Sequence, residues 1–307
     1  MKKIRHNSVT VKEPEWPWGF YNTEYLKWAN ENRAPNTVAS QGSAIHKWLY
    51  EYIDIGWKLE DIKPEAVSEY INADDGVSLS QRKFRLASVS SFLSLAKARG
   101  YCKGNVAEKL RVNMKKLTTA QKEKKIKKPF TRGEYKMLKE SFGLIGSPQH
   151  NPFWHYATVL SYWTGLRLID CASMDWDSVM TVPDHLVVWT AKAGDKHHAR
   201  VALPLKHELL GSGVLIDLFN DCLDQFDPDE EHIWPEQSWK MNQPNKRSLL
   251  PQDYIRRLRR MGIKDKSFHC LRHSFVTRLR KEGASLEEIG TLVAHTSTGT
   301  TEVYDHA

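Results

Sequence analysis

From Asn113 to Pro129 the sequence reads NMKKLTTAQKEKKIKKP, rich in lysine and short of large apolar residues. A segment of this kind has too little apolar surface to offset the entropy lost on ordering it within a core. Apolar residues recur at helical spacing on both sides of it, so the chain is expected to build two separate cores. We expect domains over 1–112 and 130–307, joined by a basic linker over 113–129. A solvated, lysine-rich helix end is the alternative that these residues leave open. At 307 residues the chain is long enough for two domains of ordinary size.

The first part reads as a helical module. A helix is expected around Tyr21 to Asn32. Asn36 and Thr37 open a second, with Ile45, Trp48, Leu49, Tyr52 and Ile53 on one face and Gly56 at its end. Pro64 suits the first turn of a third, and a long fourth helix runs from about Ser80 towards Gly100. In the second part, Thr131 with Glu134 and Ser285 with Glu288 have capping-box spacing. Basic helices are expected around Tyr254 to Met261 and Phe268 to Lys281. Only HLVVWTA and ARVALP read as strands, paired as a hairpin with Gly194 and Asp195 near its turn. The expected class is mainly α with one small β-hairpin, an α+β arrangement without internal repeats.

The net charge is +8, and the excess is concentrated. Lys109 to Lys139 holds twelve Lys/Arg against Glu123 and Glu134, and Lys246 to Lys281 holds twelve against Asp253 and Asp265. Two such stretches in a folded protein point to a polyanion, with DNA or RNA first. No apolar run approaches the roughly 18 residues that cross a bilayer. The opening MKKIRHNSVTVKEPEWPWGF has no apolar segment behind its basic start, unlike a signal peptide. A cytoplasmic, nucleoid-associated protein without membrane contact is expected. Cys102, Cys171, Cys222 and Cys270 are scattered, as free thiols in a reducing compartment would be.

Four places carry reactive residues. In TGLRLID, Gly165 ends one helix and Arg167 stands at the start of the next, where a guanidinium and backbone N–H groups can share a phosphate. The hairpin carries Lys192, Lys196 and Arg200, and a hairpin lysine can reach a neighbouring site and donate a proton. In HCLRH, His269 and Arg272 are one helical turn apart near the start of a basic helix, which suits an anion. His269 and His273 also have the spacing of some zinc pairs, but the remaining Cys and His partners of a zinc finger are missing. The last place is LVAHTSTGTTEVYDHA, with His295 and, nine residues on, Tyr304. Each has a bland reading by itself: a surface ion pair, a solvated lysine, a packed tyrosine.

Taken together, TGLR, a hairpin lysine, HxLRH, a histidine 23 residues after Arg272 and a tyrosine nine beyond it resemble the tyrosine recombinase family. That family includes phage and integron integrases and Xer-type resolvases. The resemblance spans about Pro129 to the end, and it implies a helical SAM-like core-binding domain followed by a tyrosine recombinase catalytic domain. It makes Arg167 and Arg272 the pair that grips the scissile phosphate and Lys192 the general acid, with Lys196 the alternative. His269 and His295 become the two site histidines, Asp170 a supporting carboxylate and Tyr304 the nucleophile. Ala294 stands where the family often has glycine, and only three residues follow Tyr304, where relatives carry a further helix that docks on a neighbouring subunit.

The function implied is site-specific cleavage and rejoining of DNA through a 3′-phosphotyrosyl intermediate, as in a phage or mobile-element integrase. Neither cofactor nor metal is expected. Expected partners are double-stranded DNA, further copies in a synaptic tetramer, and accessory DNA-bending or directionality proteins. Lys124, Lys125, Lys127, Lys128, Arg200, Arg256, Arg257 and Arg260 are the candidate DNA contacts. Consecutive arginines on a helix point different ways, so not all of Arg256, Arg257, Arg259 and Arg260 can face DNA. The competing readings are a DNA-binding relative without catalysis and a strand-rejoining enzyme of the type IB topoisomerase or telomere-resolving kind.

Overall fold

A computed structural model describes residues 13–73, 76–112, 128–190, 199–243 and 245–292. The chain divides into two units, Met1–Leu117 and Thr118–Ala307. Each has its own apolar cluster, and the clusters share no residue.

In the first unit, α1 runs through Pro17–Phe20, a π turn at Tyr21–Tyr25 and Leu26–Asn32. It starts before the expected Tyr21 because Pro17, which needs no N–H partner in a first turn, opens it. Helix α2 (Pro35–Tyr52) likewise starts on a proline, and it stops short of Gly56. The reason is Ile53, which turns extended and buries its side chain, leaving the glycine in the turn beyond. Helices α3 (Pro64–Asn72) and α4 (Leu79–Ala98) complete the bundle, and the Ser78 hydroxyl accepts from the Gln81 N–H to cap α4. Trp48 is fully buried at its centre. Its ring meets Phe92 edge-on at 5.8 Å and its indole N–H donates to the Ala66 carbonyl at 3.3 Å.

The second unit opens with α5 (Arg132–Gly143), where the Thr131 and Glu134 box forms as expected. Helix α6 (Pro152–Thr164) is buried on almost every face, so its apolar residues follow no single stripe. Around it pack α5, α7 (Leu168–Ala172), α9 (Val214–Gln225) and α12 (His269–Lys281). Helix α10 (Pro235–Asn242) lies against α7 and α11 (Leu249–Arg260), and α11 begins a turn earlier than Tyr254 because Leu250 is also drawn into the core. The last described helix, α13 (Leu286–Leu292), is opened by the Ser285 and Glu288 box.

The small sheet is an antiparallel pair, β1 (His185–Thr190) with β2 (Ala199–Pro204), in the register Leu186↔Leu203 and Val188↔Val201. Its turn, with Gly194 and Asp195, lies outside the described residues. Strand β1 packs on α7 and on α8 (Asp177–Met180), while α13 packs on β2. The architecture is thus mainly helical with one two-stranded sheet. Among the described residues no helix is long and apolar enough to cross a membrane.

Candidate active site

The TGLR turn is built by its own small and polar residues. Gly165 caps α6 in the left-handed region (φ 70°), which costs glycine little. The Thr164 hydroxyl donates to the Leu160 carbonyl at 2.6 Å and accepts the Leu166 N–H at 3.3 Å. Ser161, one turn earlier, donates to the Leu166 carbonyl at 2.9 Å, and the Leu166 side chain is buried. The chain therefore leaves α6 along one braced path. It enters α7 at Arg167, whose extended backbone makes it the N-cap. Asp170, nearly buried, accepts the Arg167 N–H at 3.1 Å. The carboxylate thus orients the backbone from which the Arg167 side chain projects.

Arg272 approaches the same turn from α12. It is 1% exposed, between Leu271, Phe275 and Val276, which are fully buried. Its Nη1 donates to the Gly165 carbonyl at 2.7 Å. That bond joins two motifs 107 residues apart and places the Arg272 guanidinium against the turn that carries Arg167. Fixed guanidinium groups shielded from water exert a stronger field on a bound anion than solvated ones do.

Residues 146–307 match the sequence model of the phage integrase family, over half of the chain and across both arginine motifs. The chain belongs to the phage integrase family, the tyrosine recombinases. A tyrosine recombinase of Thermosipho africanus is 23% identical over 282 residues, 88% of each chain. Tyrosine recombinase XerC of Herpetosiphon aurantiacus is 43% identical over 47 residues, 15% of each chain. The lambda integrase dimer bound to a COC′ core site has a similar fold, with TM-score 0.70, 20% identity, and coverage of 93% of this chain and 76% of that one. So does the Tn1549 transposon integrase in complex with a circular intermediate DNA, with TM-score 0.64, 14% identity, and coverage of 91% and 92%.

Other candidates of this integrase-family chain fall in varied places. His269 is the exposed first residue of α12, and its ring meets that of His273 edge-on at 5.2 Å. One face of the helix start is thus a histidine pair, with Arg272 turned into the core. Among the described residues no group of three or more His, Cys, Asp or Glu is arranged to hold a metal ion. Lys128 is exposed, and Arg200 lies opposite Trp189 in the strand register. Lys124, Lys125, Lys127, Lys192, Lys196, His295 and Tyr304 lie outside the described residues. Cys171, Cys222 and Cys270 are buried free thiols, and burial pushes Cys222 up to about 12, far from a reactive thiolate.

On α11, Arg256, Arg259 and Arg260 are exposed, but Arg257 is engaged inside the unit. Its Nε donates to Asp253 at 2.8 Å and its Nη1 to the Gln149 carbonyl at 3.3 Å, while the Trp154 indole N–H donates to the same Asp253 oxygen at 2.7 Å. Burial would raise the Asp253 carboxyl, yet the bonds from Arg257 and Trp154 and the nearby Arg256 outweigh it and hold it below its usual value. A depressed carboxylate stabilises the fold above its unfolded pKa, and that contribution is lost as the pH falls through the folded value. Asp253→Asn is therefore expected to cost about 1–3 kcal/mol at pH 7. In chemical denaturation the gap from the native chain should narrow below about pH 4. A gap that stays constant down to pH 3 would rule out the charge as its source.

Proposed function

We propose that this chain is a site-specific DNA recombinase of phage or mobile-element type that cuts and rejoins duplex DNA through Tyr304. The observation that carries the reading is the Arg272 bond to the Gly165 carbonyl, which brings a second guanidinium to the turn of Arg167. A phosphodiester resists attack because its charge repels nucleophiles and its alkoxide leaves poorly. Two guanidinium groups on the non-bridging oxygens offset the charge that grows in a pentavalent transition state. The Tyr304 phenol, with an ordinary pKa of about 10, becomes a competent nucleophile beside such positive charge. Its oxygen bonds to phosphorus as the P–O5′ bond breaks, giving a 3′-phosphotyrosine and a 5′-hydroxyl. Lys192, or Lys196 on the same hairpin, supplies the proton that the leaving oxygen takes up. His269 and His295 complete the proton network, and Asp170 orients Arg167. Because the covalent bond retains the phosphodiester's energy, rejoining needs no ATP.

The helical unit and the lysines at 124, 125, 127 and 128 serve as phosphate contacts around the duplex, along with Arg200, Arg256 and Arg260. In this reading Arg257 acts first on the fold, by holding Asp253. A related fold, the lambda integrase, has been solved as a tetramer bound to a Holliday junction (TM-score 0.71, 18% identity, coverage 99% and 82%), which supports tetramer assembly on DNA here. Accessory proteins would set the direction of exchange.

The test is detergent-resistant attachment of DNA. The protein is mixed with pooled, nicked fragments of its own genome, denatured and separated on a gel. Native protein is expected to carry DNA and Tyr304→Phe none. Strong DNA binding without any adduct on nicked substrates would reject catalysis and leave a DNA-binding relative. Adducts that rejoin only within one duplex would favour the topoisomerase-like alternative.

A further inference from the structure

Trp48, Trp154, Trp176 and Trp234 are buried in the two cores. Trp239 on α10 is 49% exposed, and the Lys246 ammonium sits over its ring, 3.9 Å from the centroid. The sequence around this pair changes character abruptly. From His207 to Glu236 there are nine acidic residues and no Lys or Arg. From Gln237 to Ser248 there are Lys240, Lys246 and Arg247, the amides Gln237, Asn242, Gln243 and Asn245, and no acid. Lysine and arginine meet phosphates, while Asn and Gln suit base edges. An exposed indole adds an apolar face for a deoxyribose or a thymine methyl.

The corner is also fixed to the active-site scaffold. The Asn242 amide reaches the Ser173 hydroxyl at 3.5 Å, at the C-cap of α7. The Ile233 N–H donates to the Met174 carbonyl at 3.1 Å, and Asp175 forms a bridge with His232. Both ends of α10 are thus tied to the segment that follows α7, and Arg167 caps the other end of α7. At about 1.5 Å per residue, Arg167 and Ser173 are roughly 9 Å apart along α7. The α10–α11 corner is therefore braced against the same short helix that Arg167 opens.

We propose that the α10–α11 corner, centred on Trp239 and Lys246, is a DNA-reading contact that takes duplex beside the scissile phosphate and contributes to target choice. The inference rests on the reading of Arg167 and Arg272 as the phosphate grip. Lys246 binds the backbone from its position over the indole, and Trp239 with Gln243 meets the groove.

The test reads binding separately from cleavage. The full chain, Trp239→Ala and Lys246→Ala are each used to select duplexes from a randomised pool, and the bound DNA is sequenced and footprinted. Trp239→Ala is expected to lower affinity about tenfold and to relax sequence preference within the footprint. Lys246→Ala is expected to weaken all sequences alike and to reduce the salt slope by about one. Melting temperatures should be unchanged for both, since neither variant opens the core. If affinity, footprint and preference are unchanged in both, Lys246 merely covers the indole and the inference fails. If the native chain forms no Tyr304 adduct but still selects DNA through this corner, the recombinase reading fails and the DNA contact stands.

Discussion

Arg272→Lys is expected to lower single-turnover DNA cleavage by about 10²–10³-fold at saturating DNA, the usual effect of removing one aimed donor from developing charge. Lysine keeps the positive charge but loses the planar fork, so it cannot hold the Gly165 carbonyl and a phosphate oxygen together. The side chain is 1% exposed, so a replacement must fit the same space. A lysine there has a single ammonium in place of the fork and loses the geometry of that anchor. Affinity for DNA should change far less than the rate, because most of the proposed phosphate contacts lie elsewhere on the chain. A variant with normal cleavage and weakened binding would place Arg272 in binding alone. One that is inactive and unfolded would assign it to the core, so melting must be measured alongside.

Trp154→Ala should produce the largest loss of stability in the second unit. The indole is 1% exposed, packs on Tyr254 at 4.9 Å and Phe268 at 6.2 Å, and donates to Asp253. Removing a buried tryptophan costs about 3–5 kcal/mol, and Asp253 would lose one of the donors that hold it. For a unit of this size, that is a fall of about 6–20 °C in melting temperature. Phe268 immediately precedes His269 at the start of α12, so in the proposed reading the loss reaches the site. The two apolar clusters share no residue, so calorimetry should show the fall in one transition and leave the other in place. A shift below 2 °C would mean that the Trp154 contacts are replaced by repacking.

What could be read in advance follows from how local the cause is. The Thr131 and Ser285 boxes, the Gly165 cap, the placement of Arg167 at a helix start and the strand pair all depend on residues a few positions apart. They were therefore legible before any fold was known. The class of fold was legible for the same reason, since helical spacing and a single alternating pair exhaust the regular patterns. Partnerships across the chain were not. Nothing near Arg257 in sequence says that Gln149 and Trp154 await it, and the four arginines of α11 look alike until Asp253 selects one. Arg272 shows its membership of a motif, but its hold on a carbonyl 107 residues earlier is a tertiary fact. Trp239 was hidden differently: its type does not tell whether it packs inside, and only the packing of α10 shows it exposed beneath Lys246. Even helix ends shifted where a buried side chain, such as Ile53, had more to gain than a glycine stop.

The central claim is covalent chemistry at one tyrosine, and the most direct measurement is the identity of the linked residue. A nicked duplex that traps the intermediate would be incubated with the native chain, the complex digested with protease and nuclease, and the remaining nucleotide-bearing peptide sequenced by mass spectrometry. The account predicts a 3′-phosphonucleotide on Tyr304 and a free 5′-hydroxyl on the released strand. Attachment to any other residue, or cleavage that leaves a 5′-phosphate and no peptide adduct, would contradict it.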